Sequence, residues 1–207
     1  MAVETEIIRI FAPGFYQSKK MENQKTGIEP NSLLIINKVE SGMPRWLIEV
    51  GFIMKIIQAV STSIDLCNWI ETNGMVIPRA IVFLLGDVIL YYAMMRGMKP
   101  LRHPYTWMWW LLIVLNVVGD ITYILPESIL NLAVAVALPL VYLPLGISIG
   151  YFYRGRLQWV GILMVAYIVT MIVFPIMLDG IIPYLVTDIL AILTLIALAW
   201  TMRKMLI

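Results

Sequence analysis

The chain has 207 residues, of which 61% are hydrophobic and only 14% are charged, and its formal net charge is +2. Soluble domains contain about 45–50% apolar and about 25% charged residues, so this composition excludes an ordinary soluble domain and predicts a protein embedded in a bilayer. The single Cys67 and the single His103 exclude an internal disulfide, a haem ligand pair, an ordinary zinc site and a Ser-His-Asp triad. We therefore expect no metal site, no cofactor and no recognisable catalytic residue.

The first 43 residues differ from the rest, because they are rich in Pro, Asn, Gln, Lys and Glu. Two short apolar patches interrupt them, at residues 7–11 and 33–36, and either patch suits the membrane interface or a protein partner. The segment is too short to bury a core of its own. We predict a short cytoplasmic extension over residues 1–43 and a transmembrane domain over residues 44–207.

Six apolar runs follow, each close to the roughly 20 residues that a helix needs to cross a bilayer. Gly, Pro and Asn residues separate the runs, and the loops are short enough to make neighbouring helices antiparallel. The expected fold class is an all-α integral membrane protein. The predicted bundle has about six transmembrane helices, at residues 46–70, 76–96, 105–125, 130–153, 157–178 and 182–202.

The basic residues indicate the orientation of this bundle, since Lys and Arg concentrate in cytoplasmic loops. The first, third and fifth loops contain no Lys or Arg. In contrast, basic residues precede the first helix, flank the second and fourth loops and follow the last helix. All of these residues fall on one side if the spans alternate. We therefore predict that both termini are cytoplasmic and that the protein lies in a plasma membrane or an inner membrane.

Aromatic residues cluster near the predicted cytoplasmic ends of the helices. Trp and Tyr favour the interface between the hydrocarbon core and water. We therefore interpret them as an interfacial belt rather than as a cofactor site. The belt would contain Tyr105, Trp107, Trp109, Trp110, Trp159 and Trp200.

The first predicted helix carries a polar stripe. Gly51, Lys55, Gln58, Thr62 and Asp65 follow the spacing of one helical face, whereas isoleucine and valine dominate the opposite side. Charged residues within membrane spans almost always face the interior of the bundle or a water-filled cavity. The stripe is therefore expected to face other helices or an aqueous path.

Two Gly-Asp pairs place Asp87 and Asp120 inside the second and third predicted helices. A charge at the bilayer centre costs about 2.5–3.5 kcal/mol on insertion scales. Asp87 is nearest the midplane, so it must be paired, protonated or hydrated. Asn116, Asp120 and Tyr123 share one face of the third helix. We expect Asp87 and Asp120 to face a shared polar interior.

The outer half of the bundle is predicted to be acidic. Asp65 and Asp188 stand near its entrance, and Arg79 is the one base at that depth. Lys55 and Arg79 are the expected internal counter-charges. Arg79 and Asp87 are about 12 Å apart along their shared helix axis, so we expect Arg79 to pair instead with an acid on a neighbouring helix, namely Asp65, Asp120 or Asp188.

These residues leave three function hypotheses open. The leading hypothesis is the binding or translocation of a small solute or cation. Its pathway would contain Lys55, Gln58, Thr62, Asp65, Arg79, Asp87, Asn116, Asp120, Tyr123 and Asp188. The second is a non-catalytic membrane subunit of a larger complex, and the third is an intramembrane enzyme that uses an aspartate pair.

The expected partners are membrane lipids, with other membrane subunits or further copies of the chain as open alternatives. The basic residues require no nucleic acid partner, because positive-inside topology and anionic lipids are sufficient to explain them.

Overall fold

The computed structural model describes residues 34–61, 74–124, 129–173 and 181–207. Within these ranges the chain is mostly helical. The α-helices are α1 (Arg45–Ser61), α2 (Val76–Met98), α3 (Trp107–Ile124), α4 (Ile129–Phe152), α5 (Arg156–Ile168) and α6 (Ile181–Met205). A 3₁₀ turn, Lys99–Leu101, follows α2, and a π-helical turn, Val169–Val173, continues α5.

A helix lies at the position of each predicted apolar run. Three segments are long and apolar enough to cross a membrane, namely Val76–Leu101 (α2 with the 3₁₀ turn), Leu132–Phe152 in α4 and Val186–Met205 in α6. Trp107–Thr122 and Arg156–Ile172 are apolar but shorter. The chain is therefore a mostly helical protein that fits a membrane. Six crossings and the side on which the termini lie stay predictions.

The helices pack on one another in chain order, and α6 also packs on α1, which closes the bundle. The start of α1 meets the end of α6, where Arg45 Nη1 donates hydrogen bonds to the carbonyl oxygens of Arg203 (3.2 Å) and Leu206 (2.7 Å). This end of the bundle is called the basic end. It carries Arg45, Arg96, Lys99, Arg102, Arg154, Arg156, Arg203 and Lys204.

Residues 34–43 cross the basic end and are called the strap. The strap begins with β1 (Leu34–Ile35), which pairs in parallel with β2 (Tyr153–Arg154) between α4 and α5. Further along, backbone hydrogen bonds join Val39 to Met205 and Ile207. The last part of the predicted extension therefore packs on the bundle and ties the α4–α5 connection to the chain's C-terminus. Residues 1–33, with the first apolar patch, lie outside the described residues.

Apolar side chains occupy both the inside and the outside of the bundle. Leu90, Met94 and Leu145 are fully buried in the core. Large apolar side chains also point outwards from the helices, among them Ile53, Val114, Leu140 and Ile189. A soluble monomer rarely exposes so much contiguous apolar surface, whereas lipid tails solvate such a surface well.

The aromatic belt interpretation is wrong for Trp109. Its side chain is fully buried, and its Nε1 donates a hydrogen bond to Met98 Sδ at 3.2 Å. The cause is the helical period, because Trp109 shares the inward face of α3 with Leu112 and Ile113, which are also buried. Exposed side chains do occur at the other tryptophan positions of the belt, Trp107, Trp110, Trp159 and Trp200.

Candidate functional site

A buried ion pair joins α1 to α2 inside the bundle. Lys55 Nζ contacts Asp87 Oδ1, and the two residues are 3% and 0% exposed. Asp87 lies at the midpoint of α2 (Val76–Met98). Each charge therefore compensates the other where water is excluded. Removing one partner of such a pair typically costs about 3–5 kcal/mol, because the remaining charge stays buried without compensation.

Gly86 explains how the two side chains reach each other. A Cβ atom at Gly86 would lie 3.1 Å from the backbone nitrogen of Lys55 and 3.3 Å from the backbone carbon of Met54. Glycine at this position allows the backbones of α1 and α2 to approach closely, because any side chain would crowd the α1 backbone. The first Gly-Asp pair thus combines a close helix contact with the carboxylate that Lys55 neutralises.

Gln58 is the second side chain that contacts the Asp87 carboxylate. It stands about one turn after Lys55 on α1, and its Nε2 donates a hydrogen bond of 3.1 Å to Asp87 Oδ2. Both carboxylate oxygens of Asp87 are therefore engaged. Gln58 Oε1 is buried and has no hydrogen-bond partner within the described part of the chain. This acceptor is available to a proton donor or a cation next to Asp87.

A layer of tyrosines lies beside the ion pair. The hydroxyl groups of Tyr91 and Tyr142 form a hydrogen bond between α2 and α4, and both side chains are buried. Lys55 Nζ lies 5.1 Å from the centroid of the Tyr91 ring, which is within the range of a cation–π contact. The Tyr142 ring in turn lies 6.1 Å from the ring of Tyr167 on α5. The polar centre therefore extends from α1 across to α5.

Helix α3 brings Asn116 and Asp120 to the same region. Asn116 Nδ2 donates a hydrogen bond to the carbonyl oxygen of Leu112 (2.7 Å), and its side chain also reaches the hydroxyl of Tyr142. Asp120 is half-buried and lies within electrostatic range of Asp87 and Lys55. Its Oδ2 atom is buried without a hydrogen-bond partner among the described residues. A second carboxylate therefore stands near the ion pair.

Of the other predicted pathway residues, Arg79 and Asp188 lie within the described part of the structure, and the side chains of the rest lie outside it. The Arg79 guanidinium lies 4.9 Å from the centroid of the Phe83 ring and within electrostatic range of Asp120. Asp188 is half-buried on α6. Thr62 and Asp65 lie outside the described residues. Tyr123 belongs to α3, but its side chain lies outside the described part of the structure.

A second polar cluster, centred on His103, lies at the basic end, and the sequence patterns gave no indication of it. His103 is 4% exposed, and its Nε2 lies 3.2 Å from Ser148 Oγ. The Ser148 hydroxyl donates its hydrogen to the carbonyl oxygen of Leu145 (2.8 Å), so His103 Nε2 must be the donor in the first contact. Burial lowers the pKa of His103 to about 4. The ring is therefore neutral at pH 7, and the cluster is a buried, uncharged contact between the α2–α3 connection and α4.

The sequence provided signals for some members of the central site and none for others. The helical period placed Lys55 and Gln58 on one face, and Asp87 and Tyr91 are one turn apart on α2. Tyr142 lies between two prolines of α4, where the apolar run is almost uniform and no polar face is visible. The partner of Asp87 could not be chosen from sequence either, because that choice depends on how α1 and α2 are rotated against each other.

The fold and this site define a helical protein that fits a membrane and has a buried Lys–Asp pair at its centre. Neither a family model, nor a curated protein, nor a solved structure matches the chain.

Proposed function

We propose that all six helices cross the membrane and that the basic end faces the cytoplasm. The proposal is supported by the apolar character of α3 and α5 beside the three longer spans, and by the outward-facing apolar residues. Exposed tryptophans near the basic end, among them Trp46, Trp107 and Trp159, suit a membrane interface. The concentration of Arg and Lys at this end follows the positive-inside rule.

We further propose that the protein binds a small solute or cation at Asp87 and moves it across the membrane. The observation that carries this proposal is the buried Lys55–Asp87 pair. A charge pair in the middle of a membrane helix is costly, and helix packing alone can be achieved with apolar side chains. Two acceptor atoms near this pair, Gln58 Oε1 and Asp120 Oδ2, have no hydrogen-bond partner among the described residues, which favours a binding role.

In this mechanism Lys55 acts as a tethered cation that occupies Asp87 when no ligand is bound. An incoming cation competes with the Lys55 ammonium for the Asp87 carboxylate, and Gln58 Oε1 supplies a further oxygen ligand. The displaced ammonium keeps a favourable contact with the face of the Tyr91 ring. Asp120 then offers the next carboxylate along the path, since it lies within electrostatic range of Asp87.

The test uses a variant that removes both charges at once. Lys55→Met with Asp87→Asn keeps the side-chain volumes similar and leaves no buried unpaired charge, so the bundle should fold. The purified protein is reconstituted in vesicles, and the uptake of Na⁺, K⁺, H⁺ and ethylammonium is measured with ion-sensitive dyes or isotopes. We expect uptake of at least one of these ions by the wild type and none by the double variant.

The matched control is Glu49→Gln, which removes a carboxylate from α1 at the basic end, where Glu49 pairs with Arg45 and Arg203. This variant should retain uptake. A folded Lys55→Met/Asp87→Asn protein that transports at the wild-type rate would show that the pair serves packing only. Wild-type vesicles that take up none of these ions, from a protein whose thermal stability no ion raises, would contradict the proposal and favour a subunit of a larger complex.

A further inference from the structure

A groove of about 690 Å³ opens at the basic end between the strap, the end of α2 and the start of α3. It is separate from the central ion pair, because none of the residues around Asp87 lines it. Its walls include Glu40, Gly42, Arg96, Lys99, Trp107 and Trp110. The groove therefore combines two cations, one carboxylate and two indole rings at the edge of the bundle.

The two cations of the groove are available to a ligand. Arg96 and Lys99 are exposed, stand three residues apart at the end of α2, and form no ion pair with any described residue. Side chains at this spacing lie on the same face of a helix. Arg96 can bind two oxygens of a phosphate through its planar guanidinium, whereas Lys99 adds a point charge. A phosphate group is the ligand that such a pair of cations suits best.

Arg96 lies against the strap where it lines the groove. Gly42 has a φ of +64°, and a Cβ atom there would lie only 3.0 Å from Arg96 Nη2. The guanidinium therefore lies directly against the strap backbone, at the position that a side chain would otherwise fill. Glu40 lines the same groove from the strap. It adds a carboxylate to a groove that two cations also line, which suits a ligand that carries both a phosphate and an amine.

The aromatic wall of the groove continues into an apolar surface. Trp107 and Trp110 are 57% and 52% exposed, and the ring of Trp110 lies 5.9 Å from that of Tyr92. Val114 and Ile121 follow on the same face of α3 and are each 50% exposed. A ligand with its phosphate at Arg96 can therefore extend an apolar chain along α3. A water-soluble phosphate compound without an acyl chain would leave Val114 and Ile121 uncovered.

We propose that this groove binds a phospholipid whose headgroup carries a primary amine. Arg96 and Lys99 hold the phosphate, Glu40 accepts hydrogen bonds from the amine, and an acyl chain lies along Trp110 and Val114. The proposal rests on the membrane crossing proposed above, since only then does the groove lie at the level of the lipid headgroups. It does not depend on transport at Asp87.

The test is the retention of phospholipid by the protein in detergent micelles, measured by native mass spectrometry. Dioleoyl phosphatidylethanolamine is the main probe, and dioleoyl phosphatidylcholine is compared with it because its trimethylammonium group cannot donate a hydrogen bond to Glu40. Arg96→Gln with Lys99→Gln removes both cations that hold the phosphate, so phosphatidylethanolamine binding should weaken by about tenfold or more. Glu40→Gln should reduce the preference for phosphatidylethanolamine over phosphatidylcholine.

Arg102→Gln is the matched control, since Arg102 is exposed on the same connection but does not line the groove. Its affinity for phosphatidylethanolamine should stay within about twofold of the wild-type value. An equal loss in Arg102→Gln, or no loss in the Arg96/Lys99 variant, would overturn the site. So would equal wild-type retention of the two lipids. Competition by glycerophosphoethanolamine at the concentration of the lipid would assign the groove to a water-soluble ligand instead.

The lipid test and the transport test can fail separately. The Lys55→Met/Asp87→Asn protein should retain phosphatidylethanolamine like the wild type, because the central pair does not touch the groove. In that variant we expect uptake to be lost and lipid binding to be normal. In the Arg96/Lys99 variant we expect the reverse, namely normal uptake and lost lipid binding. These two results together would establish two independent sites.

Discussion

Lys55 and Asp87 neutralise each other in the interior of the bundle and join the first helix to the second. The contact exists because Gly86 brings the two helix backbones together one residue before the carboxylate. Gln58 then occupies the second oxygen of Asp87. Packing geometry and charge compensation therefore depend on the same few residues, and a variant at any of them affects both.

Removing one charge of this pair should be more harmful than removing both. Lys55→Met leaves Asp87 buried without a counter-charge, and we expect a loss of about 3–5 kcal/mol in the free energy of unfolding. Adding Asp87→Asn should recover most of that loss, because no buried charge then remains. Unfolding in mixed detergent micelles measures the single variants and the double variant. A double variant that loses as much stability as the two single variants together would mean that the residues do not act as a pair.

The length of each apolar run was sufficient to predict a helix there. The spacing of polar residues along the first run was sufficient to place Lys55 and Gln58 on one face. These two patterns could not select the partner of Asp87, since Lys55 is 32 positions away and the selection depends on a glycine contact between helices. Trp109 and His103 show the same limit. Both look like residues of the interface or a loop, yet tertiary packing buries both. Sequence periodicity describes one helix at a time, whereas burial is decided by its neighbours.

Gly161 should tolerate substitution far less well than Gly150, although the two glycines lie in the same contact between α4 and α5. A Cβ atom at Gly161 would lie 2.5 Å from the carbonyl oxygen of Gly146 and 2.5 Å from the backbone nitrogen of Gly150. At Gly150 the nearest atoms would lie 3.8–4.0 Å away, which is ordinary contact. Gly161→Ala must therefore separate the helices, and we expect a loss of about 1–3 kcal/mol, typical of overpacking.

Gly150→Ala is the control for this effect, because it adds the same methyl group without a clash. Alanine is also preferred to glycine in a helix by about 0.5–1 kcal/mol, so this variant should be neutral or slightly more stable. Thermal unfolding in detergent micelles compares the two variants with the wild type. Equal behaviour of Gly161→Ala and Gly150→Ala would contradict the close contact between α4 and α5.

The buried His103 should make the protein less stable as the pH falls from about 6.5 to about 4. Burial lowers the pKa of His103 to about 4 in the folded protein, whereas an unfolded chain has a histidine pKa of about 6.5. Between these values the unfolded chain binds the proton and the folded protein does not. The free energy of unfolding therefore rises with pH across this window, by about 3 kcal/mol in total. Above pH 7 the effect should be absent, because both states are then neutral.

His103→Gln isolates this contribution, since the chain contains no other histidine. Carboxylates also titrate near pH 4, so the informative quantity is the difference between wild type and variant at each pH. We expect the wild type to lose stability relative to the variant as the pH falls through 6, measured by unfolding in micelles at constant ionic strength. A difference that does not change between pH 7 and pH 4.5 would mean that His103 has the same pKa in the folded protein as in the unfolded chain, as a histidine exposed to water does.

The C-terminal residues should hold the strap in place through their backbone. Val39 donates a hydrogen bond to the carbonyl oxygen of Met205 (3.0 Å) and accepts one from the backbone nitrogen of Ile207 (3.1 Å), and Ser41 donates to the carbonyl oxygen of Ile207 (3.0 Å). A chain that ends at Lys204 loses all three bonds. Hydrogen exchange at the amides of Val39 and Ser41 should then be faster by about tenfold or more, because local opening governs amide protection.

Ile207→Ala is the control for this truncation, because it removes an exposed side chain and keeps every backbone partner of the strap. Its amide protection at Val39 and Ser41 should match that of the wild type. The truncated chain should also bind phosphatidylethanolamine more weakly, since the strap carries Glu40 and lies against Arg96 at the groove. Unchanged protection after truncation would mean that the strap is held by β1 and the side chain of Val39 rather than by the C-terminus. In that case lipid binding should survive the truncation as well, so the two measurements must change together if the C-terminus anchors the strap.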